Sequence, residues 1–114
     1  MEAMEWILLY DYYGDLLTQR QRECFEMRYH QDLSLGEIGE ELGISRQGVF
    51  DNLSRAEALL KNMEEKTGCV SRDLACRKAA EQIREAAGKL SGFSDPQVAL
   101  LAQSILSAVQ NLEE

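Results

Sequence analysis

Apolar residues recur along this chain at three- and four-residue spacings, with no period-two alternation, which predicts helices and no strands. Met4, Ile7, Leu8 and Tyr12 form one stripe of a first helix over Met1–Tyr13, with Trp6, Leu9 and Tyr13 beside it. Gly14 is expected to end that helix as a left-handed C-terminal glycine. Thr18 opens a second helix, and Gln21 three residues later completes a capping box. Cys24, Phe25 and Met27 give its buried side, and the helix should end near His30. Ser34 and Glu37 form another capping box, at a third helix whose Leu35, Ile38 and Leu42 share one face. Gly43 stops this helix after about two turns. Ile44 reads as a buried turn residue, and Ser45 caps a fourth helix from Arg46 to about Lys66, roughly 30 Å long.

Thr67-Gly68 is the expected boundary between segments. Beyond it, Ser71 is expected to cap a fifth helix with Leu74, Ala80, Ile83, Ala87 and Leu90 on its apolar side. Ser91-Gly92 breaks that helix. Asp95-Pro96 starts a sixth, with proline at the first helical position, and Val98, Leu101, Ile105, Val109 and Leu112 form its stripe. The chain therefore divides into residues 1–68, an N-terminal helix with three more, and residues 69–114, a two-helix extension expected to pack on the first segment or on a partner chain.

Leu33 to Leu60 is the informative stretch: a short capped helix, a glycine turn and a longer capped helix make a helix-turn-helix. Gly39 is small where the helices cross, Gly43 makes the sharp turn, and Ile44 and Val49 fill the angle. At 100° per residue, Val49, Leu53, Ala56 and Leu60 fall on one side of the fourth helix. The opposite side carries Gln47, Asp51, Ser54 and Arg55, with Arg46 in the first turn. In a helix-turn-helix that outward side enters the major groove. There arginine pairs with guanine, glutamine with adenine, and aspartate only accepts from cytosine. The competing reading is a solvated face of a helical bundle.

Charge opposes the nucleic-acid reading. The 114 residues carry 12 basic and 20 acidic side chains, net −8. Bulk-charge binding to phosphate is thereby excluded. Residues 1–68 hold seven basic and fourteen acidic residues, so the acidity sits on the half that would meet DNA. From Ser45 to Asn62, however, Arg46, Arg55 and Lys61 outnumber Asp51 and Glu57. Arg20 and Arg22 add positive charge at the start of the second helix, while Glu37, Glu40 and Glu41 oppose it on the third. Any grip on DNA should be weak and salt-sensitive.

Other chemistry is sparse. No Ser/His/Asp set, metal triad or phosphate-binding glycine loop occurs, so no enzyme, metal or cofactor is expected. Glu40 and Glu41 point to different faces, so they are not an acid/base pair, and His30 sits at a helix end. Cys24, Cys69 and Cys76 form no C-x-x-C and read as reduced, mostly buried thiols of a cytoplasmic protein. The acidic start does not resemble a signal peptide, and the charge-free run Pro96–Leu112 is amphipathic rather than membrane-spanning. Trp6, Tyr10, Tyr12 and Tyr13 could stack on unpaired RNA bases, but with no basic residues interleaved they read better as core and dimer contacts. The apolar surface left by so long a fourth helix points to a homodimer.

Leu17-Thr18-Gln19-Arg20-Gln21-Arg22, then Leu33-Ser34-Leu35-Gly36-Glu37-Ile38 and Ser45-Arg46-Gln47, resemble region four of bacterial sigma factors. Three blocks, Tyr12 to Thr18, Asp32 to Ile38 and Ser45 to Asn52, resemble more closely the small YlxM family of helix-turn-helix proteins. That resemblance runs from residue 1 to about 68; residues beyond match only in being helical. It implies an all-α fold: a sigma-like helix-turn-helix on a three-helix core of the winged-helix-superfamily type, plus C-terminal helices. It also implies a DNA-binding regulatory protein that self-associates, with genes beside those of the signal recognition particle and a role in that pathway. The site residues it points to are Ser45, Arg46, Gln47, Asp51, Ser54 and Arg55, with Arg20 and Arg22 on the backbone. The competing function is an acidic adaptor that binds protein or RNA components of the particle without touching DNA. Two departures weaken base readout: Gly48 replaces the usual alanine, costing about 1 kcal/mol of helix propensity, and Phe50 stands where tyrosine is common.

Overall fold

The computed structural model describes residues 2–113; Met1 and Glu114, the outer ends of the two expected segments, lie outside the described residues. Six α-helices follow in order: α1 Ala3–Tyr13, α2 Gln19–Tyr29, α3 Leu35–Leu42, α4 Arg46–Thr67, α5 Cys69–Leu90 and α6 Pro96–Glu113. The described residues contain no strand. Contacts divide the chain into two compact units, Met1–Val70 and Ser71–Glu114.

Local chemistry sets the starts of the helices in the first unit. Thr18 and Ser34 each accept a backbone N–H at the third helical residue, and Gln21 and Glu37 return the bond to the cap. Ser45 caps α4 through Gly48 N–H at 3.0 Å. Two glycines, Gly43 after α3 and Gly68 after α4, take the left-handed conformation that ends a helix. Gly14 does not. Its φ of −58° and ψ of −28° are right-handed, and the chain runs on through a 3₁₀ turn, Gly14–Leu16. The reason for glycine there is space: an added Cβ would lie 3.1 Å from the Tyr10 ring.

The start of α5 also differs from expectation. The helix begins at Cys69, directly after Gly68, and Ser71 lies inside it. Its first N–H groups are met from the preceding helix, Cys69 N–H by Thr67 Oγ1 at 3.3 Å and Val70 N–H by Glu64 Oε1 at 3.0 Å. Those partners lie inside the end of α4, so a scan for a cap immediately before the apolar run selects Ser71 instead.

The core of the first unit is Leu9, Tyr13, Leu17, Cys24, Phe25, Ile38, Val49, Leu53, Ala56, Leu60 and Val70. Phe25, Ile38, Val49 and Leu60 are sealed from solvent. Trp6, Tyr10, Tyr12 and Ile44 pack against this core while remaining partly exposed. Of the α1 aromatics, Tyr13 is thus core and Trp6, Tyr10 and Tyr12 pack against it, in line with the expected core contacts. Of the thiols, Cys24 is buried, Cys69 half-buried and Cys76 exposed, so the expectation of mostly buried cysteines fails at position 76.

Three tyrosine hydroxyls bind the helices together through carboxylates. Tyr10 donates to Glu26, Tyr13 to Glu64 at 2.7 Å, and Tyr29 to Glu57 at 2.8 Å. Burial, the first cause in each case, raises the pKa of all three above the usual tyrosine value. The fold therefore holds the neutral phenol more strongly than the unfolded chain does. This stabilisation is complete below pH 10 and is lost as pH climbs through the raised values. The melting temperature should fall steeply above pH 10, and Tyr29→Phe should make that fall shallower. A pH series of thermal melts in which the two proteins lose stability in parallel would contradict this.

Candidate nucleic-acid interface

The turn between α3 and α4 is built around Gly39 and Gly43. Gly43 supplies the positive φ of 69° that reverses the chain. Gly39 sits so close to the turn that an added Cβ would lie 2.8 Å from the Ile44 carbonyl oxygen. Val49, Leu53, Ala56 and Leu60 then bury one side of α4, which turns the opposite side to solvent.

Along that outward side Gln47, Asp51, Ser54 and Arg55 are exposed, with Phe50 exposed at its flank and Ser45 and Arg46 exposed at the helix start. All six residues expected from α4 are accessible, but Arg46, nine residues from Arg55, points half a turn away from it. Three of them, Ser45, Gln47 and Asp51, are already engaged with neighbours. Ser45 holds its own helix cap. Gln47 donates its amide Nε2–H to Asp51 Oδ1 at 3.0 Å. Asn52 turns away from this surface and donates back to the Gly48 carbonyl at 2.8 Å.

Arg20 and Arg22 belong to α2, and each is about half exposed and tied to its neighbourhood. Arg20 reaches the Leu42 carbonyl at 3.4 Å and Glu23 at 3.7 Å. Arg22 lies 3.7 Å from Asp15 and bonds the Tyr10 hydroxyl. These are loose, solvent-facing contacts, which cost little to exchange for phosphate. On α3, Glu37 is held ionised below the usual carboxylate range by its bonds to Ser34, the backbone N–H first. It lines a shallow acidic cleft with Leu33, Glu40 and Glu41.

Phe50 did not feature among the expected site residues. It is 52% exposed, at the flank of the outward surface. The signal was available, because positions 47, 50, 51 and 54 follow the i, i+3, i+4, i+7 rule for one helix face. The tyrosine–carboxylate bonds had no such signal, since Tyr13 and Glu64 lie 51 residues apart.

Two capped helices joined at a left-handed glycine, the second turning a polar side outward, define a helix-turn-helix protein. The chain belongs to the family UPF0122, described as "Putative helix-turn-helix protein, YlxM / p13 like", which matches residues 1–95. A UPF0122 protein of Thermoanaerobacter sp. (strain X514) is 44% identical over 106 residues, 92% of this chain and 91% of the relative. One from Caldanaerobacter subterraneus subsp. tengcongensis is 58% identical over 78 residues, 68% of this chain and 67% of the relative. Another, from Acetivibrio thermocellus, is 51% identical over 82 residues, 72% of this chain and 70% of the relative. The family match extends past residue 68, through all of α5, and stops just before α6. No helix among the described residues is long and apolar enough to cross a membrane.

Proposed function

We propose that this protein is a non-enzymatic, cytoplasmic regulator that binds duplex DNA weakly through the outward side of α4. The observation that carries this reading is the exposed polar side of α4, Gln47, Asp51, Ser54 and Arg55, opposite the buried Val49, Leu53, Ala56 and Leu60, with Arg46 exposed in the first turn. The regulation proposed is of the signal recognition particle pathway, a reading supported by the resemblance to the YlxM family. Reversing both charges, Arg46→Glu with Arg55→Glu, should weaken duplex binding at least 10-fold at low salt, because several phosphate contacts are lost together. The wild-type affinity should itself fall as salt is raised. Fluorescence anisotropy with a labelled duplex checks both, and a wild type that binds no duplex at low salt would sink the reading.

A second reading has its own support in the net charge of the first segment and the acidic cleft of Glu37, Glu40 and Glu41. Here the protein is an adaptor that meets a basic component of the particle without DNA. Capture of a particle component that survives the double reversal at Arg46 and Arg55 would favour it.

The second unit supports the homodimer. Buried Ala80 and Ala87 on α5 and buried Ala102 and Val109 on α6 mark the facing sides of a hairpin. The Arg84–Glu113 ion pair closes one edge. The other edge exposes two stripes at coiled-coil spacing, Ala79, Ile83, Ala86 and Leu90 on α5, and Leu101, Ile105, Ala108 and Leu112 on α6. Leu101 is 66% and Leu112 80% exposed, on a helix without charge from Pro96 to Leu112. A footprint of about 27 by 20 Å, doubled over two partners, gives about 1,000 Å², the threshold of a specific interface. Leu101→Glu with Ile105→Glu should convert the dimer to monomer in light scattering. A monomeric wild type would refute the dimer.

A further inference from the structure

We propose that two copies lay their second units face to face and antiparallel, so that the leucine-rich turn end of each hairpin fills the hollow open end of the other. This rests on the homodimer reading above and adds the direction in which the copies meet. Size is distributed unevenly along the exposed stripes. At the turn, Leu90 closes the stripe of α5 and Leu101 lies at the start of that of α6, both exposed. At the open end the stripe of α5 holds only Cys76 and Ala79. There a cleft of about 510 Å³ lies between Cys76, Ala79, Ala80 and Ile83 of α5 and Leu112 of α6, with charged side chains also lining it. The buried side chains of the unit are three alanines and Val109, none of them large.

Two-fold symmetry lets the two faces stack in either of two directions. If both copies run the same way, the turn ends meet. The leucines of both copies then crowd at one level, and cleft is set upon cleft at the other. If each copy is reversed, Leu90 and Leu101 come to the level of the partner's cleft. The helices also fall into register by size. Along α5 the stripe alternates small and large: Ala79, Ile83, Ala86, Leu90. Reversed upon itself, it sets Leu90 opposite the partner's Ala79 and Ile83 opposite the partner's Ala86, knob into hole. On α6 the same reversal sets Ile105 opposite the partner's Ala108. Protein interiors pack as densely as organic crystals, so the direction that matches large with small is favoured. Neither stripe contains a charged residue, so the contact desolvates no ion along its centre.

Cysteine cross-linking of the full chain reads the direction. Positions 79 and 90 lie about 16 Å apart along one helix, too far to be bridged within a chain. With Cys76→Ser removing the native thiol, Ala79→Cys with Leu90→Cys should give a disulfide-linked dimer under air and copper phenanthroline, mapped by mass spectrometry to positions 79 and 90. Neither substitution alone should link, because in the antiparallel pair like positions stay about 16 Å apart. A size swap reads the same contact without a disulfide. Ala79→Leu should weaken dimerisation roughly 10-fold by overpacking, and adding Leu90→Ala should restore it, although the two positions do not meet within one chain. Light scattering follows dimerisation, and helicity equal to wild type confirms that the variants fold. A double-cysteine protein that dimerises without linking, or a swap that fails to restore dimerisation, would overturn the antiparallel arrangement while leaving the homodimer in place. So would a Leu90→Cys protein that links as readily as the double variant. A monomeric wild type would remove the homodimer and this arrangement with it.

Discussion

Phe25→Ala should destabilise the first unit by about 3–5 kcal/mol, the range for deleting a fully enclosed phenylalanine from a packed core. Phe25 has no exposed surface. Its ring lies flat on Tyr10, with centroids 4.7 Å apart and planes 7° from parallel. On another side Tyr29 tilts against it at 4.5 Å. Truncation therefore empties the space between two rings whose hydroxyls are fixed by Glu26 and Glu57. Those bonds hinder the rings from collapsing into the void, which places the cost toward the upper end of the range. For a small domain of ordinary stability this removes much of the folding free energy. Urea denaturation followed by circular dichroism is the measurement. A loss below 1 kcal/mol would mean that the α1–α2 aromatic stack is not the centre of the core.

Gly39→Ala should cost about 1–3 kcal/mol, the usual result of forcing a methyl group into filled space. On helix propensity alone the same change should stabilise, by about 1 kcal/mol. The sign is decided by the Ile44 carbonyl oxygen, which would lie 2.8 Å from the new Cβ. That oxygen belongs to the turn backbone, so relief requires α3 and α4 to move apart. The displacement shifts the outward side of α4 relative to the core. Gly88→Ala is the control. Gly88 lies within α5 with nothing within 4 Å of an added Cβ, so there the propensity gain should appear undiminished. If both variants gain stability, the close approach at Gly39 is not a constraint on the fold.

The helices and their caps were legible because they depend on neighbours in the chain. Thr18 with Gln21, and Ser34 with Glu37, lie three residues apart, and the structure closes both boxes. The buried side of α4 follows equally directly from the spacing of Val49, Leu53, Ala56 and Leu60. What was not legible depends on where side chains settle, which no capping or end-of-helix glycine rule anticipates. The glycine at position 14 serves the Tyr10 ring rather than a left-handed turn. The start of α5 is set by side chains of α4. In the candidate site, the spacing of Gln47 and Asp51 placed them together. Their hydrogen bond, Gln47 Nε2–H to Asp51 Oδ1, follows from that i, i+4 spacing on one helix face.

The acidity of the first unit has a further meaning once its carboxylates are sorted by duty. Glu26, Glu57 and Glu64 hold tyrosine hydroxyls, and Glu37 closes a helix cap. Neutralising any of these to favour a polyanion would loosen the scaffold that presents α4. Glu40 and Glu41, exposed on α3, carry no such duty in the cap or the tyrosine bonds. Glu26, Glu37, Glu57 and Glu64, four of the fourteen carboxylates of residues 1–68, are thus a structural inheritance that drift toward a stronger DNA binder could not shed. Glu40 and Glu41 remain adjustable, and they set how firmly the neighbouring surface can hold phosphate.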